Sequence, residues 1–209
     1  CGAYGEYRFG NAQDSDHFLF LSGGVGLGGG IMIGGNLYRG SQGYAGEFGH
    51  SVIERDGLLC SCGRRGCWET LVSPRAVLAY IREQITAGKA SVLQDSLSAH
   101  AEPLRFSHVV AAAQQQDALT LEALQRVGQD LGVGITNLVN TFNPALVVLG
   151  GALNLVQATI LPVANYVVQR EKLFHGSQAV KIIPSRLGKD ACLLGAAALV
   201  LDNILQNPL

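Results

Sequence analysis

Short continuous apolar runs alternate along this chain with stretches in which apolar residues recur every third or fourth position, the signature of strands alternating with helices. The run His17-Phe18-Leu19-Phe20-Leu21 ends in Ser22-Gly23-Gly24, and Ile31-Met32-Ile33 ends in Gly34-Gly35. Together they predict two strands joined by a glycine-rich turn. Residues 36–48 mix glycine with aromatic residues in no regular period, and Ser51-Val52-Ile53 predicts a further short strand before a cysteine-rich loop.

Ser73 and Pro74 form a helix start, capping residue then first-turn proline, with Val77, Leu78, Ile81 and Ile85 at helical spacing up to Gly88. Residues 90–105 are polar and weakly patterned, which predicts a connection containing short helices. Helices are then predicted over 106–116 and from Asp117 to the Asn143-Pro144 stop. In the second of these Leu121, Leu124, Leu131, Ile135, Leu138 and Val139 share one side. Its Gly128, Gly132 and Gly134 each cost about 1 kcal/mol against alanine, so close packing against a sheet is expected there. A buried strand at 145–149, a helix over 154–170, a strand at 180–183 and a helix over 191–204 complete the pattern. The order predicts a mixed α/β sheet covered on both faces, with no internal repeat.

At 209 residues, 48% hydrophobic and 15% charged, the chain is expected to form a single globular domain over residues 1–209 rather than a disordered one. A net charge of −1 and no basic run longer than Arg64-Arg65 leave out the footprint of a nucleic-acid-binding surface. Any DNA contact is expected elsewhere in the parent protein. No apolar stretch reaches the roughly 18 residues of a membrane helix, and Cys1-Gly2-Ala3-Tyr4-Gly5-Glu6 has none of the features of a secretion signal. The expectation is a cytoplasmic protein without a membrane partner. The absence of an initiator Met suggests a fragment of a longer polypeptide.

Three of the five cysteines, Cys60, Cys62 and Cys67, crowd into one short loop. That crowding points to metal ligation rather than a disulfide framework, and the turn Gly63-Arg64-Arg65-Gly66 returns the third sulfur to the first two. His50 is the one histidine close in sequence. Four such ligands would make a closed, structural zinc site, which disfavours a water-activating role. The alternative is three reduced core cysteines beside an unrelated histidine. Cys1 and Cys192 read as free buried thiols or, at the chain end, a cloning residue.

Gly24-Val25-Gly26-Leu27-Gly28-Gly29 matches the dinucleotide pattern G-x-G-x-x-G, but a strand follows it where that motif needs a helix. It reads instead as a hairpin whose glycines let backbone amides approach a ligand, or as a plain turn. Glu47 and Glu69 flank the zinc ligands. Two carboxylates and an imidazole suit the hydroxyls of one sugar ring, with Trp68 or Tyr44 for apolar contact, unless both acids are simply solvated.

Gly46-Glu47-x-Gly49-His50 followed by Cys60-x-Cys62-Gly63-x-x-Gly66-Cys67-x-Glu69 resembles the signature of the ROK family of bacterial sugar kinases and sugar-responsive repressors. The likeness extends to Glu6-Tyr7-Arg8-Phe9-Gly10, Leu37-Tyr38-Arg39-Gly40, Asn143-Pro144 through Gly150-Gly151, and Leu194-Gly195-Ala196-Ala197. It implies the C-terminal half of an actin-like, ribonuclease-H-like ATPase-type fold. It also implies zinc on His50, Cys60, Cys62 and Cys67, and sugar contacts from Glu47, His50 and Glu69. In kinase members Gly24, Gly26, Gly150 and Gly151 would line an ATP/Mg cleft.

Family kinases carry a general-base Asp just upstream of the position of Glu6, before this chain begins, so no catalytic residue is assigned in it. They also usually carry Thr where Val25 stands. The resemblance therefore favours the sugar-sensing domain of a transcriptional regulator, with a sugar or sugar-phosphate ligand, DNA bound through a segment outside the chain, and a homodimer or higher oligomer. The alternatives are the C-terminal half of a glucokinase-like sugar kinase and a zinc-stabilised interaction domain.

Overall fold

A computed structural model of the chain describes residues 1–97, 103–173 and 180–206. Five strands form one sheet: β1 Phe18–Gly23, β2 Leu27–Ile33, β3 Asn36–Tyr38, β4 Leu146–Gly151 and β5 Lys181–Pro184, in the order β3-β2-β1-β4-β5. β1, β2 and β3 are antiparallel neighbours joined by tight turns, while β1–β4 and β4–β5 are parallel. The sheet is mixed because short turns permit only antiparallel pairing, whereas parallel pairing needs the long helical crossovers that follow.

Among the described residues seven α-helices surround it: α1 Gly2–Phe9, α2 Glu69–Val72, α3 Pro74–Thr86, α4 Phe106–Gln114, α5 Ala118–Phe142, α6 Gln157–Glu171 and α7 Ala191–Gln206. Alternation along β1 sets the layers, since successive side chains point to opposite faces. Leu19 and Leu21, with Val147, Leu149 and Ile182, join the larger apolar cluster with α3, α5 and α6. Phe18 and Phe20, with Met32, Leu146 and Val148, join the smaller cluster under α1 and α7. Both faces are therefore covered, and β1 and β4 lie in the centre.

Several expectations shift. The long helix starts and stops where expected: Asp117 is its N-cap, with a carboxylate that accepts from the Thr120 amide, and it ends at Asn143 in the left-handed conformation. Its glycines pack closely, but not on the sheet. A Cβ at Gly128 or Gly132 would meet Val163 or Val167 of α6, and one at Gly134 would strike the Trp68 indole. Residues 51–53 form no strand; Val52 makes a single bridge to Cys67. The helix predicted from 154 begins as a 3-10 turn over Ala152–Val156. The weakly patterned stretch contains a 3-10 turn at Gln94–Leu97, and part of it lies outside the described residues. Helix α1 and strand β3 have no counterpart in the sequence reading.

Glu6 is fully buried in α1. Its carboxylate accepts from the Asn11 amide, the Ser185 hydroxyl and the Leu187 amide, tying α1 to the turn after β5. Three donors satisfy a charge that would otherwise be costly to bury. Among the described residues no helix is long and apolar enough to cross a membrane.

Candidate functional site

β1 and β4 end together, Gly23 paired with Gly151, and this carboxyl edge is where open α/β sheets usually bind ligands. β1 continues into the glycine hairpin, which places residues 24–26 at that edge. Behind the hairpin, residues 47–69 fold back on themselves. The Gly66 amide donates to the Leu58 carbonyl at 2.9 Å, Cys60 to Arg64 at 2.8 Å and Gly63 to Cys60 at 3.0 Å. Gly66, at φ +71°, leaves no room for a Cβ beside the Glu54 carbonyl.

This folding brings one donor atom each from His50, Cys60, Cys62 and Cys67 within 4.8 Å of one another. Cys60 Sγ lies 3.6 Å from His50 Nδ1, and Cys62 Sγ lies 3.6 Å from Cys67 Sγ. A tetrahedron with ordinary zinc bond lengths has edges of about 3.8 Å between sulfurs and about 3.6 Å from sulfur to nitrogen. Both observed edges fit, and the separation between the Cys62 and Cys67 sulfurs is far too long for a disulfide. The donor set is therefore compatible with zinc. Hydrogen bonds from the Arg64 amide and guanidinium lower the Cys62 thiol to about 6, whereas burial first and the neighbouring thiols second push Cys67 up to about 12. Arg64 also donates to the His50 carbonyl at 3.0 Å, closing the loop over the cluster.

The same histidine faces a cleft of about 430 Å³ lined by residues 24–30, Glu47, His50 and Glu69. Its Nδ1 points to the sulfurs, while Nε2 lies 4.0 Å from Glu47 Oε2. Glu69, the first residue of α2, receives a hydrogen bond from Cys60 Sγ at 3.0 Å through Oε1 and from the Leu27 amide at 3.4 Å through Oε2. Gly26 has no side chain because one would collide with that carboxylate. Glu47, at 66% side-chain exposure, is open to solvent, and Glu69, at 15%, is not. The arrangement offers acceptors at two depths on one wall, suited to a ligand carrying several hydroxyl donors.

Trp68 departs from expectation. It is 1% exposed, fills the space left by Gly134 and donates through Nε1 to the Asp130 carbonyl at 2.9 Å. It anchors the Cys67–Glu69 segment to the core and cannot touch a ligand in the cleft. Tyr44, at 75% exposure, stays accessible. Gly24 and Gly26 line the cleft, with Val25 91% exposed between them. Gly150 and Gly151 are not among its lining residues; Gly150 packs on the Phe20 ring, and Gly151, at φ +69°, on the Gly23 carbonyl. The cleft also includes Phe20, Ser22, Cys1 and Cys192, the two cysteines exposed rather than buried. Their assembly depends on α1 and α7 meeting over β1, a contact no local motif encodes.

A family model described as the ROK family matches residues 1–203. The xylose repressor of Bacillus subtilis is 35% identical over 206 residues, covering 99% of this chain and 50% of the repressor. A ROK family glucokinase from Streptomyces griseus, solved in complex with glucose and AMPPNP, has a TM-score of 0.84 at 34% identity, covering 95% of this chain and 64% of that one. A ROK family transcriptional regulator, a homolog of the E. coli MLC protein, has a TM-score of 0.84 at 33% identity, covering 94% and 48%. The chain spans about half the length of the curated repressors it matches. Repressor and kinase thus resemble it equally, and the actin-like fold expected from the sequence is the one they share.

Proposed function

Because the chain belongs to the ROK family, we propose that it is the sugar-sensing domain of a transcriptional regulator. Glu47 and Glu69 accept hydrogen bonds from the hydroxyls of an aldose such as xylose or glucose, and His50 donates one through Nε2–H to a hydroxyl oxygen. The observation that carries this reading is the convergence of those three side chains on one cleft wall, directly against the Cys3His cluster. Zinc, when bound, supplies a closed tetrahedral crosslink with no open position for chemistry. His50, Cys60, Cys62 and Cys67 would hold it, and His50, whose Nδ1 faces Cys60 Sγ, would keep Nε2 for the ligand.

Val25 favours sensing over phosphoryl transfer. It stands at the exposed tip of the hairpin, and its isopropyl group offers phosphates no hydrogen bond. Sensing then works by differential affinity: sugar binds more tightly to one arrangement of the parent protein and shifts the population toward it. On this reading residues 1–209 form a single domain of a cytoplasmic homodimer or higher oligomer that contacts DNA through a segment outside this chain.

One observation supports the kinase reading. The glycine hairpin and the Gly150-Gly151 strand end adjoin at the carboxyl edge of the sheet, where Gly24, Gly26, Gly150 and Gly151 would receive ATP with Mg. Thermal melting with a panel of xylose, glucose and their phosphates tests sugar binding: one sugar raises the Tm of the wild type and not of Glu69→Gln. No response to any sugar contradicts the reading. In the full-length protein, sugar-dependent ATP consumption at ordinary kinase rates, roughly 1–100 per second, overturns the choice of regulator.

A further inference from the structure

A second cavity lies on the far side of α2 from the sugar cleft. It encloses about 640 Å³ between the stem of the cysteine loop (Glu54, Asp56–Leu58, Arg65), α3 and α5, within the range of small-molecule sites. Glu69 of α2 faces the first cleft, while the next two residues, Thr70 and Leu71, line this one. Its floor is apolar, with Val77 2% and Val127 3% exposed.

Asp130 lines that cavity with no hydrogen-bonded cation among the described residues. It is half-buried, and burial raises its carboxyl above the ordinary aspartate value, the Arg126 charge partly offsetting this and the Glu54 charge adding to it. Arg126, one helical turn earlier and the natural i,i+4 partner, lies instead over the Tyr80 ring at 4.5 Å from its centroid. Tyr80 is held in turn, donating to Glu122 Oε1 at 2.7 Å. No donor to the Asp130 carboxylate is found among the described residues. Glu54, Asp56 and Glu83 add negative charge at the rim. A carboxylate drawn partly out of water and lacking a hydrogen-bonded partner gains more from a cation placed directly on it than a solvated one does.

We propose that this cavity binds a small organic ammonium ion, its charged head on Asp130 and its alkyl body on the Val77 and Val127 floor. Both halves of the ligand are needed: a metal ion would waste the apolar floor, and a neutral alcohol of the same shape would bring Asp130 a hydrogen bond but no positive charge.

The test uses n-butylammonium, with n-butanol as the neutral control, in thermal melts of the whole chain at constant ionic strength. At ten times its Kd, n-butylammonium should raise Tm by about 3 °C, and n-butanol should not. Asp130→Asn, which keeps the shape of the side chain and the backbone carbonyl that receives Trp68, should abolish the shift. Glu47→Ala, in the other cleft, should leave it intact, so failure here is distinguishable from failure of the sugar reading. If Asp130→Asn lowers the starting Tm, chemical-shift changes in a two-dimensional NMR titration of the wild type locate the ligand instead; they should fall on residues 76–84 and 123–130. The proposal is overturned by equal shifts with n-butanol, by an unchanged response in Asp130→Asn, or by no response in the wild type.

Discussion

The sheet and the cysteine loop are held by different forces. In the sheet, β1 and β4 are buried on both faces, and Leu19, Leu21, Val147, Val148 and Leu149 are each no more than 1% exposed. Apolar burial of this kind supplies most of a domain's stability. In the loop from Ser51 to Cys67, Val52, Leu58 and Leu59 are each more than half exposed, and the buried side chains are chiefly the ligand cysteines Cys60 and Cys67. A few backbone hydrogen bonds cannot fix such a segment in water, where the net value of each is only about 1 kcal/mol. One region keeps its shape by burial, while the other, on the proposed reading, depends on a metal crosslink and is flanked by the proposed ligand contacts Glu47, His50 and Glu69.

Breaking each region should therefore give opposite signatures. Leu131→Ala, at a fully buried position on α5, should lower stability by about 2–5 kcal/mol in denaturant titrations, yet the folded protein should keep its zinc affinity. Loss of metal at temperatures where this variant is still folded would erase the contrast. Gly66→Ala should do the reverse. Forcing a Cβ against the Glu54 carbonyl at positive φ costs on the order of 1–3 kcal/mol, and the larger consequence should be weakened zinc binding. Hydrogen exchange should show protection lost over residues 50–67 and kept in β1 and β4; uniform loss would contradict this.

Asp117 sharpens the comparison on the burial side, away from any metal. Burial alone would raise its carboxyl, but hydrogen bonds from Thr120, Val92 and Ser91 outweigh it and hold the group below the ordinary aspartate value. The stability it contributes is therefore present above the unfolded pKa, near about 3.9, and is lost as pH falls through the depressed folded value. Asp117→Ala should cost about 1 kcal/mol at pH 7, a difference that shrinks in acid. A constant difference between pH 7 and pH 3 would refute the role. The smallest effect should come from Lys89→Met. Its ion pair with Glu122 is exposed on both sides, and the denaturation midpoint should not move measurably.

Legibility in the sequence follows the same division. The metal cluster is readable because its ligands lie within eighteen residues and their spacing is enforced by local turns at Gly63 and Gly66. Strands β1 and β4 are readable because double-sided burial demands unbroken apolar runs. Helix α1 escapes because it packs through Gly2, Ala3, Gly5 and a buried Glu6, which leaves no apolar period, and β3 because three residues carry no pattern. Trp68 looks like a ligand contact from its place between Cys67 and Glu69; only the gap at Gly134, sixty-six residues away, shows that it turns inward. The glycines of α5 signal close packing without saying on what. Cys192 and Ser22 reach the cleft through helix and strand pairings that sequence spacing does not record.

The central claim is that the metal crosslink holds the ligand-reading wall. It is tested most directly by calorimetric titration of the responsive sugar into zinc-loaded protein, into protein stripped with a chelator, and into stripped protein given one equivalent of zinc. Sugar binding should be lost on stripping and restored by the single equivalent, while circular dichroism shows the sheet and helices intact throughout. Equal sugar affinity in the stripped and loaded forms would contradict it.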